Sequence, residues 1–107
     1  MPIRTEKASC KFFSSRIVPN GLYLMDEPEA ALSPMRQLAF MAMVKDAVAA
    51  GSQFIIATHS PVLLAFTGAV IYHLDGTQLE RVKYEELEHV QFTKAFLENP
   101  ELYLRYL

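Results

Sequence analysis

Four apolar residues, Leu22, Tyr23, Leu24 and Met25, stand together and run directly into two carboxylates, Asp26 and Glu27. A short unbroken apolar run of this kind predicts a strand buried on both faces. After Ser33-Pro34, a serine cap followed by proline at the first helical position, the period lengthens. Leu38, Met41, Val44 and Val48 recur at three- and four-residue spacing, which predicts an amphipathic helix closed by Gly51. Phe54-Ile55-Ile56-Ala57 predicts a second buried strand, and Ser60-Pro61 repeats the helix start, giving a short helix to about Phe66. Residues 69–74 form a third apolar run, and Asp75-Gly76 predicts a hairpin turn. Beyond it, residues 78–82 alternate polar and apolar, as expected of a half-exposed edge strand. Residues 84–98 predict a helix with Leu87, Phe92 and Phe96 inward, and Asn99-Pro100 begins a last turn. Upstream, residues 8–18 predict a short amphipathic helix halted by Pro19-Asn20-Gly21.

Strand, helix, strand, helix, strand is an α/β order with a mostly parallel sheet. A chain of 107 residues, 51% of them hydrophobic, is expected to form one domain with a real core. Net charge is −2, so overall charge points to neither nucleic acid nor membrane. The first twenty residues are locally basic, with Arg4, Lys7, Lys11 and Arg16 against Glu6, and read as a solvated helix end in preference to a transit peptide. No apolar run approaches the roughly 20 residues of a membrane span, and no signal-peptide core is present, so a soluble, cytoplasmic protein is expected. Cys10 stands alone, which excludes a disulfide framework or a cysteine metal site within one chain, and no base lies near it in sequence.

In sheets of this class ligands sit beyond the carboxyl ends of the strands. Asp26-Glu27 end one strand and Thr58-His59-Ser60 end the next, and a right-handed crossover brings those ends into one crevice. A carboxylate there can hold Mg²⁺, a second can orient or deprotonate a water, and an imidazole can stabilise charge on a phosphoryl group. Taken singly, each has a plainer reading: the acids as a solvated turn before Pro28, the histidine as a structural residue. Their pairing across a single crossover helix favours chemistry. His73, within an apolar run, reads as structural; Glu85 and His89 with Glu86 and Glu88 read as a solvated helix face. Met35, Met41 and Met43 read as core filler or adaptable interface.

The stretch "LYLMDEPEAALS" resembles the Walker B strand and D-loop of ATP-binding-cassette (ABC) ATPases, and "FIIATHSP" resembles their H-loop. The wording is closest to the soluble, non-transporter branch that includes RecF- and SMC-like proteins, over residues 12–107. The resemblance implies ATP and Mg²⁺ as cofactors. It implies Asp26 on the magnesium side, Glu27 as catalytic base and His59 as the γ-phosphate switch. Ala31, Leu32 and Ser33 would form the D-loop, which in the family crosses to a partner's nucleotide site; Ser33 stands where many members carry aspartate. No G-x-x-x-x-G-K-[ST] occurs, and none of Gly21, Gly51, Gly68 and Gly76 precedes a lysine. The serine–glycine signature is absent as well, "KASCKFF" standing roughly where the helix after it would begin. The chain is therefore expected to be a single partial domain, the C-terminal half of an ABC-type ATPase, incompetent alone. A non-enzymatic remnant or interaction module is the alternative. The implied partner is the missing N-terminal half or a second ABC subunit. DNA association follows from family analogy only.

The same resemblance predicts a vacancy in the sheet. The family's phosphate-loop strand lies between the strands matching 53–58 and 69–74. Either those two pair directly, or a strand from another chain enters between them; the second is preferred, with oligomerisation as its consequence.

Overall fold

The computed structural model describes the backbone of residues 3–5 and all of residues 18–107. The helix predicted over 8–18, and Cys10 with it, lie outside the described residues apart from Val18. The chain divides into two compact units, with the boundary after Phe66.

The first unit is built on a parallel three-stranded sheet in the order β1-β2-β3, with β1 Ile3–Thr5, β2 Leu22–Asp26 and β3 Gln53–Ala57. Leu22 pairs with Gln53 and Asp26 with Ala57, so the two predicted strands end level with each other. β1, pairing Ile3 with Leu22 and Thr5 with Leu24, was not legible in the sequence pattern. After β2 a 3-10 turn, Pro28–Ala31, leads to helix α1, Pro34–Ala49. Ser33 caps α1 as predicted, its hydroxyl accepting from the Arg36 N–H at 3.3 Å. Gly51, at φ 95°, turns the chain out of α1 into β3. Helix α2, Pro61–Leu64, is capped in the same way by Ser60, which accepts from the Leu63 N–H at 3.2 Å.

Two burial expectations are corrected. The sheet is sealed on one face only among the described residues: Tyr23 and Met25 are buried, whereas Leu22 and Leu24 are half-buried and Ile55 is 57% exposed. β3 is paired on one side only within that sheet, so it is not the fully buried strand its apolar run predicts. On the sealed face Tyr23, Met25, Leu32, Phe40, Val44 and Leu63 form the core, and the cross-strand pair Tyr23 and Phe54 stack at 4.8 Å. Secondly, α1 is rotated by about one residue from the predicted stripe. Gln37, Phe40, Val44 and Ala47 face inward, leaving Leu38 and Val48 53% and 46% exposed.

The opposite end of the sheet is closed by a serine. The Ser52 hydroxyl accepts from the Gly21 N–H at 3.1 Å and donates to the Val18 carbonyl at 2.9 Å, tying the entries of β2 and β3 together.

The second unit begins with a hairpin, β4 Ile71–Asp75 against β5 Gln78–Val82, turning at Gly76 with φ 62°. The predicted hairpin is present, but 71–75 forms its own two-stranded antiparallel sheet and does not join β1-β2-β3. Direct pairing with 53–57 is thus not the outcome. His73 is exposed on this hairpin, where it faces Glu80 in register. A 3-10 turn, Tyr84–Glu86, leads to helix α3, Glu88–Glu98, and then α4, Pro100–Leu104. Leu87 is buried as expected, but Phe92 is 53% exposed; it packs with Phe96 and Tyr103 in an aromatic cluster, its ring 5.5 Å from that of Tyr103. His89 is half-buried, whereas Glu85, Glu86 and Glu88 are exposed. No helix among the described residues is long and apolar enough to cross a membrane.

Candidate functional site at the strand tips

Parallel pairing in register carries Asp26-Glu27 and Thr58-His59 to the same edge of the sheet. Asp26 is the last residue of β2 and is exposed. The next residue leaves the strand by an unusual route: Glu27 adopts φ 47°, ψ 54°, left-handed geometry that few non-glycine residues occupy. Its N–H donates to the Ala57 carbonyl at 2.7 Å, which prolongs the ladder by one bond. Buried Pro28 follows at the head of the 3-10 turn, with its φ fixed by the ring.

This geometry brings two of the predicted residues together. Glu27 Oε1 lies 3.5 Å from His59 Nδ1, with both side chains open to solvent. An exposed pair of this kind adds little to stability; what it offers chemically is a carboxylate and an imidazole side by side at the strand tips.

Ala31, Leu32 and Ser33 behave differently from one another. Ala31 and Ser33 are exposed, whereas Leu32 is buried in the core and its carbonyl accepts from Gln37 Nε2 at 3.2 Å. The buried Gln37 amide also accepts a short hydrogen bond from the Ser60 hydroxyl, so one side chain on α1 ties the 31–33 segment to the start of α2.

Glu29 is the residue that sequence reasoning missed. Its Oε1 accepts from the Thr58 hydroxyl at 2.7 Å and its Oε2 from the His59 N–H at 3.0 Å. The Thr58 oxygen accepts in turn from the Ser60 N–H at 3.0 Å. The available signal was an acid one residue past Pro28, on the side of the turn facing a Thr-His-Ser segment whose N–H groups need acceptors. Partial burial pushes the Glu29 carboxyl up, but the Thr58 hydroxyl, the Glu29 and His59 backbone N–H groups and the His59 charge outweigh it. The net result is a carboxyl held below its ordinary value of 4.5.

A pH prediction follows. A carboxyl whose folded pKa is depressed contributes stability above its unfolded value, and that contribution disappears as pH falls through the folded one. Urea midpoints measured from neutral pH down through the carboxylate range should decline less steeply for Glu29→Gln than for wild type. Parallel curves would show that Glu29 carries no such linkage.

Comparison with known families places this half of the molecule. The sequence model of a family described as "AAA domain, putative AbiEii toxin, Type IV TA system" matches residues 12–65, just over half of the chain. The matched stretch lies within the first unit and includes every residue of the strand-tip site. No curated protein matches the chain.

Proposed function

The chain belongs to that AAA-domain family, and from this membership we propose that it carries the magnesium and hydrolysis side of an ATP-hydrolysing site, as part of an ABC-type ATPase. The observation that carries the reading is the approach of Glu27 to His59 at 3.5 Å, next to Asp26, at the carboxyl ends of adjacent parallel strands.

The donor set fits magnesium bound to a nucleotide. Mg²⁺ keeps several waters and is usually held by one or two carboxylates together with substrate phosphates. Among the described residues no group of three or more His, Cys, Asp or Glu could hold a metal ion, so an all-protein cage is not offered. Asp26 would hold the ion, directly or through water. When bound, the ion would supply neutralisation of the charge on the phosphates. Glu27 would accept the proton of the attacking water. With its Nδ1 turned towards Glu27, His59 would present the opposite ring nitrogen, Nε2, to the charge developing on the terminal phosphoryl, donating there in the doubly protonated ring, whose two nitrogens are both donors. Ala31, Leu32 and Ser33 would play the D-loop part, the exposed Ala31 and Ser33 reaching a partner's site while Leu32 anchors the segment in the core.

No phosphate-cradling motif occurs in these 107 residues, so the reading needs a segment that supplies one, the N-terminal ATPase half or a second ABC subunit. The second reading is a module that folds and associates without hydrolysing ATP. A magnetic resonance titration separates them. In the chain alone, Mg·ATP should bind more weakly than micromolar and should shift the amides of Asp26, Glu27 and His59 only at millimolar concentration. Asp26→Asn should remove the magnesium dependence of those shifts. Shifts scattered over the surface, or none at these three residues, would sink the hydrolytic reading and leave the interaction module.

A further inference from the structure

We infer that Glu29 is a positioning residue for His59, one carboxylate gripping the turn that presents the imidazole. The inference rests on the reading of Glu27 and His59 as the hydrolytic pair. It concerns a residue to which that reading gives no part.

The segment between β3 and α2 is only three residues long, Thr58-His59-Ser60. Such a turn has N–H groups left over from the strand before it and the helix after it. Glu29 takes both donors on its side: the Thr58 hydroxyl at 2.7 Å with one oxygen and the His59 N–H at 3.0 Å with the other. With Ser60 N–H donating to the Thr58 oxygen at 3.0 Å and Ser60 Oγ engaged with Gln37, every residue of the turn is held from a neighbouring element. The imidazole itself is 81% exposed, so packing does not fix its place. The backbone that bears it sets where the ring is rooted, and Glu29 holds that backbone.

The spacing makes the grip rigid. Glu27 and Glu29 flank buried Pro28, whose ring fixes the φ between the acid that faces the imidazole and the acid that holds the peptide. Glu27 approaches His59 through the side chain and Glu29 through the main chain. A hydrogen bond to an ionised acceptor is stronger than a neutral one, and the depressed Glu29 carboxyl keeps the acceptor ionised at neutral pH.

The test uses the full chain, with amide hydrogen exchange and the ¹⁵N spectrum of the His59 ring. In wild type, the nearby carboxylate should enrich the Nδ1–H tautomer of neutral His59, because the partner of one ring nitrogen sets which one carries the proton. Glu29→Ala should speed exchange of the His59 amide by about tenfold or more, the loss expected for a bond to a charged acceptor, and return the tautomers to the ratio of a solvated histidine. Exchange at Phe40 and Val44 should stay unchanged, which separates local release from general destabilisation. Glu29→Gln keeps one carbonyl oxygen for two donors and should rescue part of both effects. Thr58→Val, which removes one of the two bonds to Glu29 together with the acceptor of the Ser60 N–H but leaves the His59 N–H bond in place, should affect the His59 amide less than Glu29→Ala. If Glu29→Ala leaves the His59 amide and ring tautomers as in wild type, the positioning role is overturned. Failure of the hydrolytic reading shows elsewhere: Mg·ATP would leave Asp26, Glu27 and His59 unshifted while Glu29→Ala still freed the turn.

Discussion

Glu27→Gln is expected to lower ATP turnover by about 10²- to 10⁴-fold in an assembly that hydrolyses ATP through this chain, the range for loss of a positioned general base. Glutamine keeps the length and planarity of the side chain and gives up its ability to take a proton. Nucleotide affinity should therefore change far less than turnover, and the variant should accumulate in the ATP-bound form. Left-handed geometry at position 27 is a backbone property, already sustained by a long side chain, so the substitution should not disturb the fold. Single-turnover measurement with labelled ATP separates the two parameters. Unchanged turnover would remove Glu27 from the base role and transfer attention to Asp26 or to a group on the partner.

The largest effect on stability is expected at Phe40. Its ring is 1% exposed, at the centre of a core shared with Tyr23, Met25, Leu32, Val44 and Leu63. Phe→Ala at such a site costs about 3–5 kcal/mol, from lost transfer free energy and the cavity left behind. Typical domains have only about 5–15 kcal/mol in total, and here one small unit bears the whole loss. Urea unfolding followed by circular dichroism should show the first unit largely or wholly unfolded at 25 °C in Phe40→Ala. Leu38→Ala, two positions away on the same helix, should stay within about 0.5 kcal/mol of wild type, because Leu38 is 53% exposed. If the two variants cost the same, the inward face of α1 is not the one described.

That pair also shows where the sequence was legible. Helix starts were plain because the signal is local: Ser33-Pro34 and Ser60-Pro61 each cap a helix with their own hydroxyl. The strand ends were legible because unbroken apolar runs stop at Asp26 and Ala57, and register then placed Glu27 opposite the segment containing His59. The inward face of α1 was not. Apolar residues lie on overlapping stripes there, with Leu38 and Val48 competing against Phe40 and Ala47, and the buried polar residue between them is decisive. Gln37 faces inward because Leu32 and Ser60 satisfy its amide, a condition set by residues 5 and 23 positions away. Sheet membership of 71–75 was illegible for a related reason. A five-residue strand is compatible with either sheet type, and its antiparallel partner, through Gly76, is settled by pairing rather than by composition. Glu29 escaped notice because its partners lie 29 and 30 residues away across the sheet.

Position 27 sets two demands on the chain against each other. A residue with a Cβ in left-handed geometry costs about 1–2 kcal/mol relative to one without, and the N–H bond to Ala57 holds it there regardless. Glycine at this position would relieve the strain, and a melting temperature above wild type would report it, provided the freedom gained by the unfolded chain does not cancel the gain. The same change deletes the carboxylate. Selection for stability alone would therefore drift towards glycine, and an ensemble of random variants screened by heat would be enriched in molecules without the acid. Glutamate at this point leaves the fold less stable than its backbone permits and puts an acid at the strand tip.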